Sequence, residues 1–239
     1  MLAIRSPSTD SPRMPIGVAA LDAALGGGLA LAGLHEVHGA ADDAAAVTGL
    51  AARLAAGCGR QGPVLWLRDR GAADGGRLYG LGLADLGLDP ARLLLVEAPD
   101  TIALLRAAAE ALTCAGLACV VVESWGRAAA IDLTASRRLQ LAAARVGLPC
   151  LLLRLAGEDR PSAALTRWQV APAPSRALAA DAPGWPRLAL TLSRQRGGPA
   201  GQSHVLEWMH EQPVSSSAPH PRARAALSAY RAAGRQRAA

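Results

Sequence analysis

Short apolar segments alternate with amphipathic segments along this chain, and the alternation limits the folds that it can adopt. Five apolar runs are typical of buried strands: Leu34–Val37, Pro63–Leu67, Arg92–Val96, Cys119–Glu123 and Cys150–Leu155. Helices are predicted between them at Asp43–Gly57, Leu78–Leu86, Thr101–Ala115 and Asp132–Gly147. Strands that are apolar on both faces and are connected through helices form a parallel sheet with helices on both sides. The sequence therefore predicts an α/β fold with a mostly parallel sheet.

The pattern changes after the fifth apolar run. Three further strands are predicted without helices between them, at Thr166–Ala171, Arg187–Ser193 and Ser203–Met209. An Arg- and Gly-rich loop, Arg194–Gly201, connects the last two of these strands. Because consecutive strands joined by short connections pair as antiparallel neighbours, we expect an antiparallel C-terminal extension of the sheet.

Composition divides the chain into three parts. Residues 1–13 are rich in Ser and Pro, and we expect them to be disordered. Residues 14–212 carry the predicted strands and helices, and a chain of 239 residues with 51% hydrophobic residues can bury one large core there. Residues 213–239 combine a Ser/Pro-rich linker with a short basic helix, Arg222–Ala233.

The net charge of +6 is concentrated in the C-terminal tail. Residues 213–239 contain five Arg and no acidic residue, whereas residues 1–212 contain 20 Arg and 19 acidic residues. The balanced domain does not indicate a nucleic-acid-binding core, so we expect contact with DNA to be indirect, or non-specific through the tail. We find neither a signal-peptide pattern nor an apolar run long enough to span a membrane, and we expect a cytoplasmic protein.

Cysteine and histidine do not follow a metal-binding pattern. No C-x-x-C pair occurs, and all four cysteines lie in or beside apolar segments, which favours buried free thiols: Cys58, Cys114, Cys119 and Cys150. His35 and His38 lie on one predicted strand and its exit without a partner at metal-ligand spacing, so we expect structural roles for them. We predict no metal site.

The first predicted strand runs into a glycine turn and a helix, which is where a nucleotide-binding P-loop occurs. The motif G-x-x-x-x-G-K-[ST] binds phosphate through backbone N–H groups and its Lys, and its hydroxyl holds Mg²⁺. Counted from Gly39, the second Gly, the Lys and the hydroxyl residue are replaced by Ala44, Ala45 and Ala46. The chain contains no Lys that could substitute. The sequence therefore predicts neither ATPase activity nor a nucleotide cofactor.

Two acidic residues add a second obstacle to phosphate binding. Asp42 and Asp43 stand at the start of the predicted helix, where a bare N-terminus would attract an anion. An Asp at the N-cap would accept the helix N–H groups itself. We therefore expect the protein's own carboxylates to occupy the anion site.

Several segments resemble the RecA family. Leu21–Gly39 (L-D-A-A-L-G-G-G-L…G-L-H-E-V-H-G) is similar to the approach to that family's P-loop. Pro99-Asp100-Thr101, followed by a helix and a Val-rich strand that ends at Glu123-Ser124, is similar to its route into Walker B. Thr166–Ser175 (T-R-W-Q-V-A-P-A-P-S) and Ser193–Gly201 (S-R-Q-R-G-G-P-A-G) resemble the ImuA family, degenerate RecA relatives of bacterial damage-inducible mutagenesis cassettes.

The resemblance to the ImuA family implies both a fold and a function. It implies a RecA-like core and a non-catalytic adaptor that acts in error-prone translesion DNA synthesis during the SOS response. The implied partner is an ImuB-like Y-family polymerase subunit, with RecA and an error-prone C-family polymerase as further partners. We expect a monomer or a heterocomplex.

Two catalytic positions of the RecA family differ in this chain. The family's general base, a Glu after the second strand, aligns near Arg70. The neighbouring Asp69 is expected to be a solvated loop acid. Glu123 stands at the Walker B-like position, but it lacks the P-loop hydroxyl with which it would hold Mg²⁺, so we expect a structural role for it.

Two segments are candidates for contact with a partner. In the loop they are Arg194 and Arg196, which could bind phosphate or an acidic surface. In the tail they are Arg222, Arg224, Leu227, Tyr230 and Arg231, of which the last three share one face of the predicted helix. A short basic helix of this kind can dock in a groove or fold on a partner.

Two other functions remain open at this point. One is an NTPase with an atypical phosphate site, which measurable ATP turnover would support. The other is an SOS inhibitor of cell division, because SulA-type proteins resemble the same degenerate fold. In that case the tubulin-like division protein would be the partner.

Overall fold

Six parallel strands form the centre of the structure, and two antiparallel strands extend one edge. The computed structural model describes residues 12–70, 75–182 and 184–207. The strands of the main sheet are β3 (Gly33–Gly39), β4 (Val64–Asp69), β5 (Leu93–Ala98), β6 (Cys119–Trp125), β7 (Pro149–Leu155), β8 (Thr166–Ala173), β9 (Arg187–Gln195) and β10 (Gln202–Glu207). Their spatial order is β10-β9-β8-β3-β7-β6-β4-β5. A separate ribbon pairs β1 (Arg13–Met14) with β2 (Leu29–Ala30).

Helices cover both faces of the sheet. They are α1 (Ala19–Ala24), α2 (Ala44–Ala56), α3 (Gly80–Asp85), α4 (Thr101–Ala111) and α5 (Leu133–Val146). The core beneath α1, α2 and α3 includes Val121 of β6, whereas the core beneath α4 and α5 includes Val120 and Val122. Because successive side chains of a strand point to opposite faces, β6 can be apolar throughout and bury both cores. The predicted α/β architecture is confirmed.

The helix ends follow the residues that the sequence provides. The Asp100 carboxylate accepts a hydrogen bond from Ala103 N (2.8 Å), and the Asp132 carboxylate accepts one from Ala135 N (2.7 Å), which caps α4 and α5. Gly147 ends α5 with a φ of 71°, in the left-handed region that favours glycine. No helix in the described part of the chain is long and apolar enough to cross a membrane.

The antiparallel C-terminal extension is confirmed. Strands β8, β9 and β10 pair as antiparallel neighbours, and β8 connects them to the rest of the sheet by pairing in parallel with β3. The reason is that residues 156–165 return the chain to the opposite end of the sheet before β8 begins. Strand β9 is longer than expected, because Arg194, which we assigned to the following loop, still pairs with Arg167.

The structure can also be compared with the sequence-based expectations at several individual residues. Arg13, assigned to the disordered N-terminal part, lies in β1, and its guanidinium donates to Leu25 O at 3.1 Å. Three cysteines are buried as expected, but Cys114 is exposed because it lies in the turn after α4. The tail residues proposed for partner contact lie outside the described residues: Arg222, Arg224, Leu227, Tyr230 and Arg231.

Candidate functional site

The turn between β3 and α2 occupies the position of a P-loop. Residues Ala41–Asp43 form one turn of 3-10 helix. Asp43 N donates to Ala40 O at 3.1 Å, and Ala40 N donates to the Asp43 carboxylate at 3.3 Å. The prediction that an Asp accepts the N–H groups of the helix is wrong, because Asp43 makes no side-chain bond to the start of α2. Its carboxylate folds back onto the turn, and Asp42 is exposed.

The space behind this turn is closed by packing. A Cβ at Gly39 would come within 2.5 Å of Val47 Cγ2, so the first turns of α2 lie directly against the end of β3. Ala46 and Val47 are both buried. The turn therefore binds its own backbone and side chains at the point where a P-loop would surround phosphate.

Glu123 lies at the end of β6, and three donors bind its buried carboxylate. Oε2 accepts from Trp66 Nε1 at 2.8 Å, and Oε1 accepts from Trp125 Nε1 at 3.0 Å. Arg68 Nη2 donates to Oε1 at 3.0 Å and forms an ion pair that is almost fully buried. The Arg68 guanidinium also donates to Gly76 O. Glu123 is therefore engaged by fixed internal donors at the position of a Walker B acid.

Asp69, at the end of β4, is buried, and the expectation of a solvated loop acid is wrong. Oδ2 accepts hydrogen bonds from Ser124 Oγ (3.0 Å) and Thr101 Oγ1 (3.3 Å). Asp69 thus connects the ends of β4 and β6 to the start of α4. Arg70, where the RecA family has its general base, is exposed.

A cleft of about 300 Å³ lies beside these residues. Ala44, Ala45 and Thr48 of α2 form one wall, and Arg68 and Glu123 contribute to another. Residues 75–79 and α3 close the remaining side. The cleft combines the small side chains of α2 with the buried Arg68–Glu123 ion pair and the exposed Arg77.

A second buried carboxylate, Glu36 of β3, was not identified from the sequence. Arg167 Nε lies 3.2 Å from its Oε2, while Arg154 Nη1 and His38 Nε2 each lie 3.4 Å from its Oε1. Burial by itself would raise the pKa of Glu36, but hydrogen bonds from His38 and Ser162 and the charges of His38 and Arg167 lower it to about 2. The sequence did contain one indication of this cluster, because Glu36 and Arg154 are charged residues inside otherwise apolar strand segments.

The ion cluster around Glu36 also holds the segment that follows β7. The Arg167 guanidinium binds the Asp159 carboxylate and the Arg160 carbonyl as well as Glu36. Ala156 adopts a φ of 52°, which is uncommon for a residue other than glycine, and its N–H donates to Gly39 O at 3.0 Å. Residues 156–165 are thereby attached to the end of β3.

His35 has a structural environment. Its Nε2 donates to Ala30 O at 2.8 Å, and its Nδ1 lies 2.8 Å from Thr166 Oγ1, which accepts from Trp168 Nε1 at the same distance. Burial lowers the pKa of His35 to about 4, so the ring is neutral at pH 7. Within the described residues, no group of three or more His, Cys, Asp or Glu side chains could hold a metal ion.

Another cleft lies between α4 and α5, and no pattern in the sequence indicated it. Its volume is about 370 Å³. Its apolar floor includes Ile102, Leu105 and Leu139, and its rim carries Arg106 and Arg138. Ile102 is 56% exposed. We call this surface the α4–α5 groove.

The neighbouring edge of the sheet is also open. Strand β5 is the last strand on that side, and three successive apolar residues are 42–50% exposed: Leu94, Leu95 and Val96. An uncovered apolar edge strand is available for pairing with another chain. The open edge and the α4–α5 groove adjoin because α4 directly follows β5.

Comparison with curated proteins decides the family. The chain is 38% identical to Protein ImuA of Caulobacter vibrioides (strain NA1000 / CB15N) over 232 residues, covering 89% of this chain and 88% of the relative. Protein ImuA of strain ATCC 19089 / CIP 103742 / CB 15 matches with the same values. The chain belongs to the ImuA family. No protein-family model matches it.

The fold of this ImuA-family chain also occurs in a solved recombinase structure. The crystal structure of the RadB recombinase aligns with a TM-score of 0.59 and covers 81% of this chain and 95% of its own. The sequence identity is 19%, so the likeness concerns the fold alone. The RecA-like architecture expected from the sequence is confirmed.

The predicted loop residues have internal partners. Arg194 Nη1 donates to Ser162 O, and Arg196 Nη2 donates to Ala163 O at 2.9 Å. Burial, together with the nearby charges of Arg194 and of Arg137 on α5, lowers the pKa of Arg196. The structure therefore places these two residues together with the segment after β7, away from the α4–α5 groove lining.

Proposed function

We propose that this ImuA-family chain is a non-catalytic RecA-fold adaptor in damage-induced, error-prone translesion DNA synthesis. It binds an ImuB-like Y-family polymerase subunit, with RecA and an error-prone C-family polymerase as further partners of the assembly. Membership of the ImuA family supports the role in damage-induced DNA synthesis, since the resemblance to ImuA implies a mutagenesis cassette.

The engagement of the Glu123 carboxylate by three internal donors is the observation that carries the non-catalytic part of the proposal. A Walker B acid acts by orienting Mg²⁺ together with the P-loop hydroxyl and the phosphates. Here Trp66, Arg68 and Trp125 engage the carboxylate, and alanine stands at the hydroxyl position. Binding a metal would require breaking a buried ion pair, which costs several kcal/mol (about 3–5).

The α4–α5 groove supports the adaptor part. An apolar floor with an exposed anchor position at Ile102 fits an apolar side chain of a partner segment. Arg106 and Arg138 on the rim favour acidic residues beside that side chain. We therefore assign the groove to an apolar, acidic segment of the ImuB-like subunit, and we retain the basic tail helix as a second contact.

Reconstitution with the purified ImuB-like subunit tests this assignment. Ile102→Asp places a charge in the groove at an exposed position, so we expect binding to weaken by about a hundredfold or more while the fold is retained. Leu81→Asp is the matched control, because Leu81 is 66% exposed on α3 and lies outside the groove. Equal binding by wild type and Ile102→Asp would reject the groove assignment.

Two further measurements separate the alternative functions. A pull-down from DNA-damaged cells that recovers the tubulin-like division protein without a polymerase subunit would favour the division inhibitor. ATP turnover that disappears in Glu123→Gln would favour the NTPase. We expect turnover at the background level for wild type and variant alike.

A further inference from the structure

Three arginines converge beside the segment that follows β7. Arg194 lies at the end of β9, Arg196 follows two residues later, and Arg137 approaches from α5. The carbonyls of residues 162 and 163 hold the guanidinium groups of Arg194 and Arg196 in position. Because a guanidinium has five N–H donors, both side chains keep donors for a ligand. We call these three residues the arginine cluster.

The cluster lacks a compensating carboxylate for two of its members. Among the ion pairs of the described residues, none involves Arg194 or Arg196. Partial burial and the charges of Arg194 and Arg137 lower the pKa of Arg196. Arg194 and Arg196 are therefore not paired with a carboxylate of the described residues, and an anion would be attracted to them.

A cleft of about 270 Å³ opens next to the cluster. Arg196 and Gln195 line one side and Arg13 lines the other, while Thr166 lies between them. The described lining contains no acidic residue. The cleft thus gives an anionic group access to Arg196 between two guanidinium groups.

We propose that the arginine cluster binds the phosphate backbone of single-stranded DNA. Arg194 lies at the end of β9 and Arg196 in the turn that follows, and the carbonyls of two successive residues, Ser162 and Ala163, hold their guanidinium groups. Planar guanidinium groups that are held side by side match phosphate oxygens in pairs. The exposed neighbours Gly197 and Ala200 offer no large apolar anchor for a peptide.

The arginine cluster lies close to the α4–α5 groove that we assign to the partner. Arg137 of α5 belongs to the cluster, and the next residue, Arg138, lines the α4–α5 groove. One helix would then separate the two sites, and both could be occupied together. DNA binding at the cluster does not depend on the partner assigned to the groove.

The salt dependence of binding measures these contacts in the full chain. Affinity for a fluorescent oligothymidylate would be followed by anisotropy over a range of KCl concentrations. The pair Arg194→Gln and Arg196→Gln should lower the slope of log K against log salt by about 1.4, since each contact to a single strand contributes about 0.7. Affinity at about 0.1 M salt should fall about tenfold or more.

A matched control separates a site from general charge. Arg53→Gln with Arg145→Gln removes the same charge from exposed positions of α2 and α5 outside the cluster. We expect the slope to stay near that of wild type. An equal loss of slope in both pairs would overturn the proposal, because it would show diffuse attraction by net charge and by the tail.

Two measurements on the unmodified protein keep the proposal testable if the variants do not fold. Phenylglyoxal labelling, read by mass spectrometry, should show that oligothymidylate protects Arg194 and Arg196 but not Arg145. Absence of that protection would overturn the proposal. In a competition experiment, Mg-ATP or pyrophosphate is added at equal phosphate concentration. If either one displaces the oligonucleotide completely, the proposal is overturned and the ligand is a small phosphoryl compound.

Discussion

Two buried carboxylates, Glu123 on β6 and Glu36 on β3, lie two strands apart in the sheet and are held in different ways. Glu123 accepts from one arginine and two indoles at 2.8–3.0 Å. Glu36 lies among two arginines and a histidine at 3.2–3.4 Å. Arg154 Nη2, next to Glu36, is buried without a hydrogen-bond partner among the described residues.

The difference separates a closed region from an adjustable one. The donors of Glu123 are side chains of β4 and β6 that bind it at 2.8–3.0 Å, so its network is a fixed part of the core. Glu36 is held at longer distances by His38, Arg154 and Arg167, and Arg167 also binds the segment after β7. We infer that the Glu123 network replaces the nucleotide site, whereas the Glu36 network fixes residues 156–165.

Removing Glu123 gives the largest expected effect. Glu123→Ala leaves the buried Arg68 guanidinium without its carboxylate, and we expect the free energy of unfolding to fall by about 3–5 kcal/mol. Urea unfolding measures the change. Glu110→Ala, at an exposed position of α4, should change the free energy by no more than about 0.5 kcal/mol. A loss equally small for Glu123 would contradict the closed network.

The second largest effect is expected at acidic pH, where protonation of Glu36 should weaken its network. The pKa of Glu36 is lowered to about 2 from its ordinary value of 4.5. The unfolded chain therefore binds more protons between these values, and stability present above pH 4.5 is lost as the pH falls towards 2. The shift corresponds to about 3 kcal/mol.

Urea unfolding at several pH values measures this loss. Since other acids also titrate in this range, the informative quantity is the difference between wild type and Glu36→Gln, whose stability should vary less with pH. Parallel curves for the two proteins would show that Glu36 has an ordinary pKa.

The uncharged hydrogen-bond network of Thr166 should contribute less to stability than the two ionic networks. Thr166→Val keeps the shape of the side chain but removes the hydroxyl between His35 and Trp168. Two buried ring nitrogens would lose their partner, and we expect a cost of about 1–3 kcal/mol in urea unfolding. Thr113→Val, at an exposed position after α4, is the control and should cost less.

Restoring the P-loop residues should have the smallest effect on activity. The triple change Ala44→Gly, Ala45→Lys and Ala46→Thr supplies the missing motif, but Arg68 still engages Glu123. We expect ATP turnover to remain at background in a coupled assay. Turnover restored by these three changes alone would show that the Glu123 network yields to a bound metal.

Much of the fold followed from local patterns, and much of the site did not. The strand at Cys119–Glu123 and the helix beginning after Asp132 were predictable because apolar runs and caps act over a few residues. Asp69 was misjudged, since its burial depends on Ser124 and Thr101 from other elements. The partners of Glu36 come from strands 118 and 131 residues further along the chain.

The sequence by itself determined the α/β class, the family and the loss of the P-loop residues, because each depends on residue types at short spacing. Only the tertiary structure decided what fills the vacated position and which surfaces stay open. Trp66 and Arg68 meet Glu123 through the pairing of β4 with β6, and the α4–α5 groove exists because two helices pack side by side on one face. Contacts between distant segments depend on that packing, which no local pattern records.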